Sequence, residues 1–310
     1  MRDLDPVGVR AELSDGQWAV IEPLMPQVMG RSRPYRDHRQ VVEGIVHRYR
    51  CGLAWRDLPV RFGPCQTVWK RHARFSRDGT WDEVLAAVIA HADAAGDVEW
   101  AVSVDSSVNR AHQYATNCRE PRSPRGASAN YMKQILGPGT KALIEPPDHG
   151  IGRSRGGLST KVHHAVDGRG RPLSILIGAG QAGDTPACLP LLAGIRVARP
   201  GRGRPRTRHT AVLGDRAYSS KAIRAHLRSR GITAVIPEPR DQQGHRTRRG
   251  SAGGRPVSYD REMYKKRNVV EGSFALLKQW RGLATRTAPR TRSTTPTWTA
   301  TGASVGRRRP

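Results

Sequence analysis

Tyr264-Lys-Lys-Arg267-Asn-Val-Val-Glu271-Gly-Ser-Phe-Ala-Leu-Leu-Lys278 sets four polar side chains, Tyr264, Arg267, Glu271 and Lys278, at offsets 0, 3, 7 and 14. At 3.6 residues per turn these offsets bring all four near one face of a helix expected over 260–282. Val270, Phe274 and Leu277 recur at steps of 4 and 3 and form a separate apolar stripe that can face a core. The polar stripe is therefore not needed for packing. A carboxylate flanked by two cations and a phenol suits a surface that holds a metal ion beside a nucleic-acid phosphate.

Two other carboxylates stand as partners for Glu271. Asp105 ends the apolar run Trp100-Ala-Val-Ser-Val-Asp105, and Asp215 ends Thr210-Ala-Val-Leu-Gly-Asp215. Both runs have the length and β-branched content of buried strands. Hard cations such as Mg²⁺ bind through one or two carboxylates together with water and substrate phosphates. A pair of such ions can clamp the attacking and leaving oxygens of an in-line phosphoryl transfer. Each aspartate alone could simply cap the turn that follows it; the metal role rests on the three acids together.

The residues around these acids resemble a known family. The chain is similar to bacterial insertion-sequence transposases of the DDE type, in the broad insertion-sequence-four and -five group. The helix follows the Tyr-(2)-Arg-(3)-Glu-(6)-Lys pattern of that group at every position. Val104-Asp105-Ser-Ser-Val-Asn-Arg110-Ala-His112, Gly156-Gly-Leu-Ser-Thr-Lys161-Val-His163, Asp167-Gly-Arg-Gly-Arg-Pro172 and Leu213-Gly-Asp215-Arg-Ala-Tyr218 resemble further family segments. Their joint order over roughly residues 13 to 285 is far more specific than any one of them. The resemblance implies catalysis and metal binding by Asp105, Asp215 and Glu271, with two Mg²⁺ ions as cofactor and Mn²⁺ as a substitute. It also implies double-stranded DNA as partner and a homo-oligomer on that DNA.

The pattern of elements agrees. Strands are expected at 98–107, 157–167 and 171–179, the last two joined by the hairpin-like turn Asp167-Gly-Arg-Gly-Arg-Pro172. Helix 186–195, strand 210–214, helix 219–230, strand 232–236 and helix 260–282 follow. This is the order of an RNase H-like α/β (α+β) domain, expected over 98–284, in which the first and fourth strands are neighbours. Asp105 and Asp215 would then meet although 110 residues separate them.

Residues 1–95 read as a helical DNA-binding domain. Ser14 and Asp37 are candidate N-caps, and helices through 64–76 and 81–89 follow a short helix and turn at 55–63. The short helix, the Gly-containing turn and a helix bearing Thr67, Lys70, Arg71 and Arg74 resemble a helix-turn-helix. A plain helical bundle with a solvated basic face is the alternative. Lys161, Tyr264, Arg267 and Lys278 complete the expected DNA contacts, although Tyr264 could simply pack and the cations could form surface ion pairs.

Fifty-three Lys+Arg against 26 Asp+Glu give a formal charge of +27, which points to a polyanionic partner. A GC-rich gene inflates Arg but does not explain a twofold excess of basic over acidic residues. Cys51, Cys65, Cys118 and Cys188 are scattered, which argues against a disulfide framework or a zinc finger. No signal peptide is expected from the opening residues, no run is long and apolar enough for a membrane span, and a bacterial cytoplasmic, nucleoid-associated location fits.

Segments 117–154, 198–209 and 240–256 are rich in Gly, Pro, Ser or Arg and are expected to be loops, the last two disordered until they meet phosphate. Beyond Thr285 the chain loses helical periodicity, so 285–310 is expected to be an irregular tail. The resemblance calls for a further apolar helix there. A frameshift that replaced the true end is one origin for the tail, and a natural basic tail is the other. Translating the other reading frames past Thr285 separates the two.

The adjacent pair His163-His164 lacks the intervening apolar residue of single-strand nicking enzymes. Tyr218 lacks the cationic constellation of a tyrosine recombinase. Ser106 and Ser107 read as hydrogen bonders, and Asp184 as a strand-end acid outside the triad. The expected function is recognition of the terminal inverted repeats of an insertion element, with metal-dependent cleavage and strand transfer. The alternative is an inactive copy that only binds DNA; a general nuclease is weaker.

Overall fold

The computed structural model describes residues 13–27, 37–112, 115, 150–199 and 203–287. Its first helices begin where polar side chains can satisfy free backbone amides. The Ser14 hydroxyl accepts from the Gln17 amide at 3.3 Å and Gln17 Oε1 accepts from the Ser14 amide at 2.9 Å, a reciprocal cap that starts α1 (Asp15–Ile21). Asp37 accepts from the Arg39 amide at 2.8 Å and starts α2 (His38–Cys51), which Gly52 ends at φ 71°. Helices α3 (Cys65–Arg77) and α4 (Thr80–Ala94) follow. Phe75 and Trp81 meet edge to face across the α3–α4 turn, with centroids 5.6 Å apart.

The sheet contains β1 (Ala101–Arg110), β2 (Gly152–Ser154), β3 (Gly157–Val166), β4 (Pro172–Ala179), β5 (Ala211–Leu213) and β6 (Thr233–Val235) in the order β2-β3-β1-β5-β6, with β4 also on β3. β1 runs antiparallel to β3 and parallel to β5, and β5 runs parallel to β6. The first and fourth strands expected from the sequence are thus neighbours.

Helices cover both faces. On one lie α5 (Asp184–Ala193) and α6 (Lys221–Ser229), whose Cys188, Leu191, Leu192, Ile223 and Leu227 pack with Val102, Val104 and Val212. On the other lies α9 (Asn268–Lys278), whose Val270, Phe274 and Leu277 share one core with Val162 and Val166 of β3 and with Val42, Phe75 and Trp81 of the N-terminal helices. Burying each such side chain contributes about 2 kcal/mol. The chain passes from helical segment to sheet near residue 98, but the core is continuous across that point. α10 (Arg281–Ala284) seals the junction: a Cβ on Gly282 would stand 2.8 Å from the Tyr49 carbonyl oxygen, and one on Gly52 would stand 2.7 Å from Arg281 Cβ.

Several expectations give way here. The helix expected over 260–282 is three pieces: α8 (Arg261–Lys265), α9 and α10. Asp260 caps α8, and the chain turns at Lys266–Arg267 before α9 begins, so Tyr264 belongs to a different helix from Glu271 and Lys278. Residues 240–256 include α7 (Arg240–Arg248), which buries no side chain and so carries no apolar period to reveal it. It is tied down by Gln242 on Ser219 and by an Arg246–Glu238 ion pair. Residues 203–209 are also pinned: Arg206 pairs with Val197 through two backbone hydrogen bonds and lies 4.0 Å over the Trp100 ring. In the expected loop 117–154, residues 152–154 form β2, and 116–149 lie outside the described residues.

The short helix expected at 55–63 is two single 3₁₀ turns, Trp55–Asp57 and Val60–Phe62. Of the irregular tail, only Thr285–Thr287 lies within the described residues. There Arg286 bridges backbone to backbone with Ala111, and its guanidinium donates to Thr160 Oγ1 at 2.6 Å and to the Gly150 carbonyl at 3.1 Å.

Candidate active site

Strand parity places the acids. Val102 and Val104 face α5 and α6, so Asp105 points to the opposite side of β1, toward α9. The parallel register pairs Ser103 with Leu213; continued by two residues, it sets Asp105 beside Asp215, just past the end of β5. The Asp215 carboxylate accepts from the Ala217 amide at 2.9 Å and caps the 3₁₀ turn Arg216–Tyr218.

Arg267 joins the third acid to the first. Its Nη2 lies 3.0 Å from Asp105 Oδ2 and its Nη1 lies 2.7 Å from Glu271 Oε1. The Asp105–Arg267 pair is largely enclosed, whereas the Glu271 side chain is 54% exposed. Burial pushes the Asp105 carboxyl up from its ordinary value; the Ser106 amide and Arg267 pull it back, while the charges of Asp215 and Glu271 add to the rise. Burial pulls Arg267 down, but the Glu271 hydrogen bond and the Asp105 charge outweigh it, so its pKa is raised.

Among the described residues no three metal-ligating side chains converge on one point. The donor chemistry nevertheless fits a hard cation: three carboxylates whose mutual repulsion is felt at Asp105, with a guanidinium as their present counter-charge.

Asp105 stands opposite His164, which is fully buried, meets the Phe274 ring edge to face at 5.4 Å and is pushed down to about 3 by burial. His164 is thus a neutral packing residue. On the other side of the sheet, Ser106 donates its hydroxyl to Asp184 at 2.6 Å, and Lys161 Nζ donates to the same oxygen at 3.0 Å and to the Ala182 carbonyl at 2.8 Å. Lys161, expected to meet DNA, is therefore held inside the protein. The Asp184 cluster is what sequence reasoning undervalued; the shared parity of Ser106, Lys161 and His163 was the available signal.

Of the other expected DNA contacts, Lys70, Arg74 and Lys278 are exposed and Thr67 is half-buried. Arg71 is buried, its guanidinium 6.0 Å over the Phe75 ring, so it does not join an outward basic face. Tyr264 packs edge to face on Tyr259 at 5.6 Å, beside the small β5–β6 core. Tyr218 is fully buried and its hydroxyl is pushed up, first by burial and then by the charges of Asp184 and Asp105, the reverse of what a nucleophile needs. An apolar cavity of about 870 Å³ between α1, α4 and the β3–β4 turn is lined by none of the three acids.

The first strand does not stop at its acid as the sequence suggested, but continues through Arg110, so Asp105 lies in its middle. A mixed sheet in this order, with helices on both faces and with one acid within β1 and another just past the parallel β5, is an RNase H-like domain. Residues 98–304 match the family model "Transposase DDE domain", and residues 13–85 match "Putative transposase of IS4/5 family (DUF4096)". The chain belongs to the DDE transposases, a family of enzymes that cut and transfer DNA and generally use divalent metal ions.

Three curated relatives share its sequence in part. "Uncharacterized protein y4sN" of Sinorhizobium fredii is 34% identical over 114 residues, 36% of this chain and 87% of that protein. "Insertion element IS402 uncharacterized 16.2 kDa protein" of Burkholderia cepacia is 34% identical over 107 residues, 32% of this chain and 73% of its own length. "Putative transposase for insertion sequence element IS6501" of Brucella ovis is 31% identical over 130 residues, 42% and 83% of the two chains. No solved structure matches significantly.

Proposed function

We propose that this transposase recognises the terminal inverted repeats of its own insertion element, cuts the DNA there and joins the freed 3′ end to a target. Asp105, Asp215 and Glu271 are the catalytic carboxylates and hold Mg²⁺, for which Mn²⁺ can substitute. The observation that carries this is the alignment of Asp105, in the middle of β1, with Asp215, just past the end of the parallel β5, and the link that Arg267 makes from Asp105 to Glu271.

The cation supplies Lewis-acid stabilisation of the charge that develops on the phosphodiester. The protein supplies position. Asp105 and Asp215 are each oriented by a backbone amide, while Arg267 has to leave Asp105 before a cation can take its place. Glu271 is exposed and joins the site by turning from Arg267. Arg267, once released, and Lys278 are placed to meet DNA phosphates, as are Lys70 and Arg74 on α3. Joining of two element ends calls for a homo-oligomer on DNA. A cytoplasmic, nucleoid-associated location follows from such a substrate, and no described helix is long and apolar enough to cross a membrane.

The test is strand cleavage. Full-length protein is incubated with a duplex carrying the ends that flank the gene, in Mg²⁺ or Mn²⁺, beside Asp105→Asn. Nicking at the element boundary that needs metal and vanishes in the variant, while DNA binding persists, is the expected result. Retained cleavage by Asp105→Asn refutes the assignment. Binding without cleavage by the unaltered protein selects the inactive DNA-binding copy instead.

A further inference from the structure

The two aspartates are each held by a backbone amide from the residue one or two positions further along. Ser106 N–H donates to Asp105 Oδ1 at 2.8 Å, and Ala217 N–H donates to Asp215 Oδ1 at 2.9 Å. Both of those residues are in turn gripped by the first two residues of α5. Asp184 Oδ1 accepts from the Ser106 hydroxyl at 2.6 Å, and the Thr185 hydroxyl donates to the Ala217 carbonyl at 2.7 Å.

One peptide step at the start of a helix thus reaches both acid-bearing segments. The helix is a firm base, because Cys188, Leu191 and Leu192 anchor it in the core beneath β1 and β5. Asp184 is itself held still: Lys161 Nζ donates to it at 3.0 Å, and His163 Nδ1 lies 3.6 Å away. The β1–β5 ladder stops at Ser103 and Leu213, so no strand pairing fixes the separation of the two acids beyond that point. The helix supplies what the ladder does not.

We infer that Asp184 and Thr185 are positioning residues: the start of α5 acts as a spacer that sets the distance between Asp105 and Asp215 and so the size of the cation they accept. This rests on the metal role proposed for those acids. Outer hydrogen-bond partners of ligating carboxylates orient them, and losing one typically weakens metal binding by 10- to 100-fold. Mg²⁺ and Mn²⁺ demand tighter geometry than Ca²⁺, so a loosened pair loses selectivity as well as affinity.

The experiment measures Mn²⁺ binding to full-length protein by electron paramagnetic resonance of the free ion, with Ca²⁺ as competitor. Ser106→Ala and Thr185→Val each cut one arm while leaving the amide on the aspartate in place. Each is expected to weaken Mn²⁺ binding about tenfold and to lower the preference for Mn²⁺ over Ca²⁺. Thr185→Ser, which keeps the hydroxyl, restores both, and metal-free melting temperatures stay near wild type. Wild-type Mn²⁺ affinity and selectivity in both arm variants, with binding lost in Asp105→Asn, overturn the spacer and leave the metal site standing. Wild-type Mn²⁺ binding by Asp105→Asn overturns the metal site and the spacer with it.

Discussion

Arg267→Gln removes the cation shared by Asp105 and Glu271, and its cost can be worked from the contact. The Arg267–Asp105 pair is 3.0 Å apart with side chains 14% and 20% exposed. Charge centres near 4 Å at an effective dielectric of about 20 interact by about 4 kcal/mol. Partial exposure and salt reduce this to an expected coupling of about 2 kcal/mol. Asp105→Asn alone loses the same pair but also relieves repulsion from Asp215 and Glu271, so it costs less than Arg267→Gln. The double variant should therefore be about 2 kcal/mol more stable than the sum of the two single losses requires. Urea unfolding in EDTA at pH 7 measures this. The pH dependence has a definite sign. Burial already raises the folded-state Asp105 pKa, and losing Arg267 raises it further, which penalises the ionised form in the fold. The Arg267→Gln deficit is full at pH 7 and shrinks as pH falls through that raised value. Additive single-variant losses, or a deficit that grows on acidification, refute the reasoning.

Two other outcomes are expected. His209 is buried with neither ring nitrogen hydrogen-bonded to a described residue, and burial, then Arg230 and His226, push it down from 6.5 to about 4. The unfolded chain takes up this proton below pH 6.5 and the folded chain does not, so His209 alone should lower stability by about 1.4 kcal/mol per pH unit between those values; His209→Gln removes that share of the slope in urea titrations and leaves the shares of His164, His163 and His38. Replacing exposed Lys70 and Arg74 with Ala should make the slope of log affinity against log salt shallower by about 1 per residue in a DNA-binding titration, and an unchanged slope removes α3 from the interface.

Where local chemistry decides structure, the chain was legible. Ser14 and Asp37 announce their helices because a short polar side chain before an apolar period has few other uses. The adjacency of Asp105 and Asp215 was legible from the order of elements, since few topologies accommodate it. The apolar stripe of α9 was legible from its steps of 3 and 4. The break at Lys266–Arg267 was not, because neither Gly nor Pro marks it and Tyr264 keeps the helical spacing across it. α7 escaped because hydrogen bonds rather than apolar contacts hold it. Arg71 and Lys161 were misplaced for a common reason: a basic side chain reads as outward until the ring or carboxylate that receives it is known.

The seal between α10 and α2 makes the chain a ruler. Gly282 leaves no room for even a methyl group against Tyr49, and α10 directly continues the segment that carries Glu271. The helices proposed to read the element's end and the helix that carries Glu271 therefore share one packed core. The number of base pairs from recognised sequence to severed phosphate becomes a dimension of the fold. A longer spacer in the repeat should leave the cut at the same distance from the recognised sequence and so move it off the element boundary.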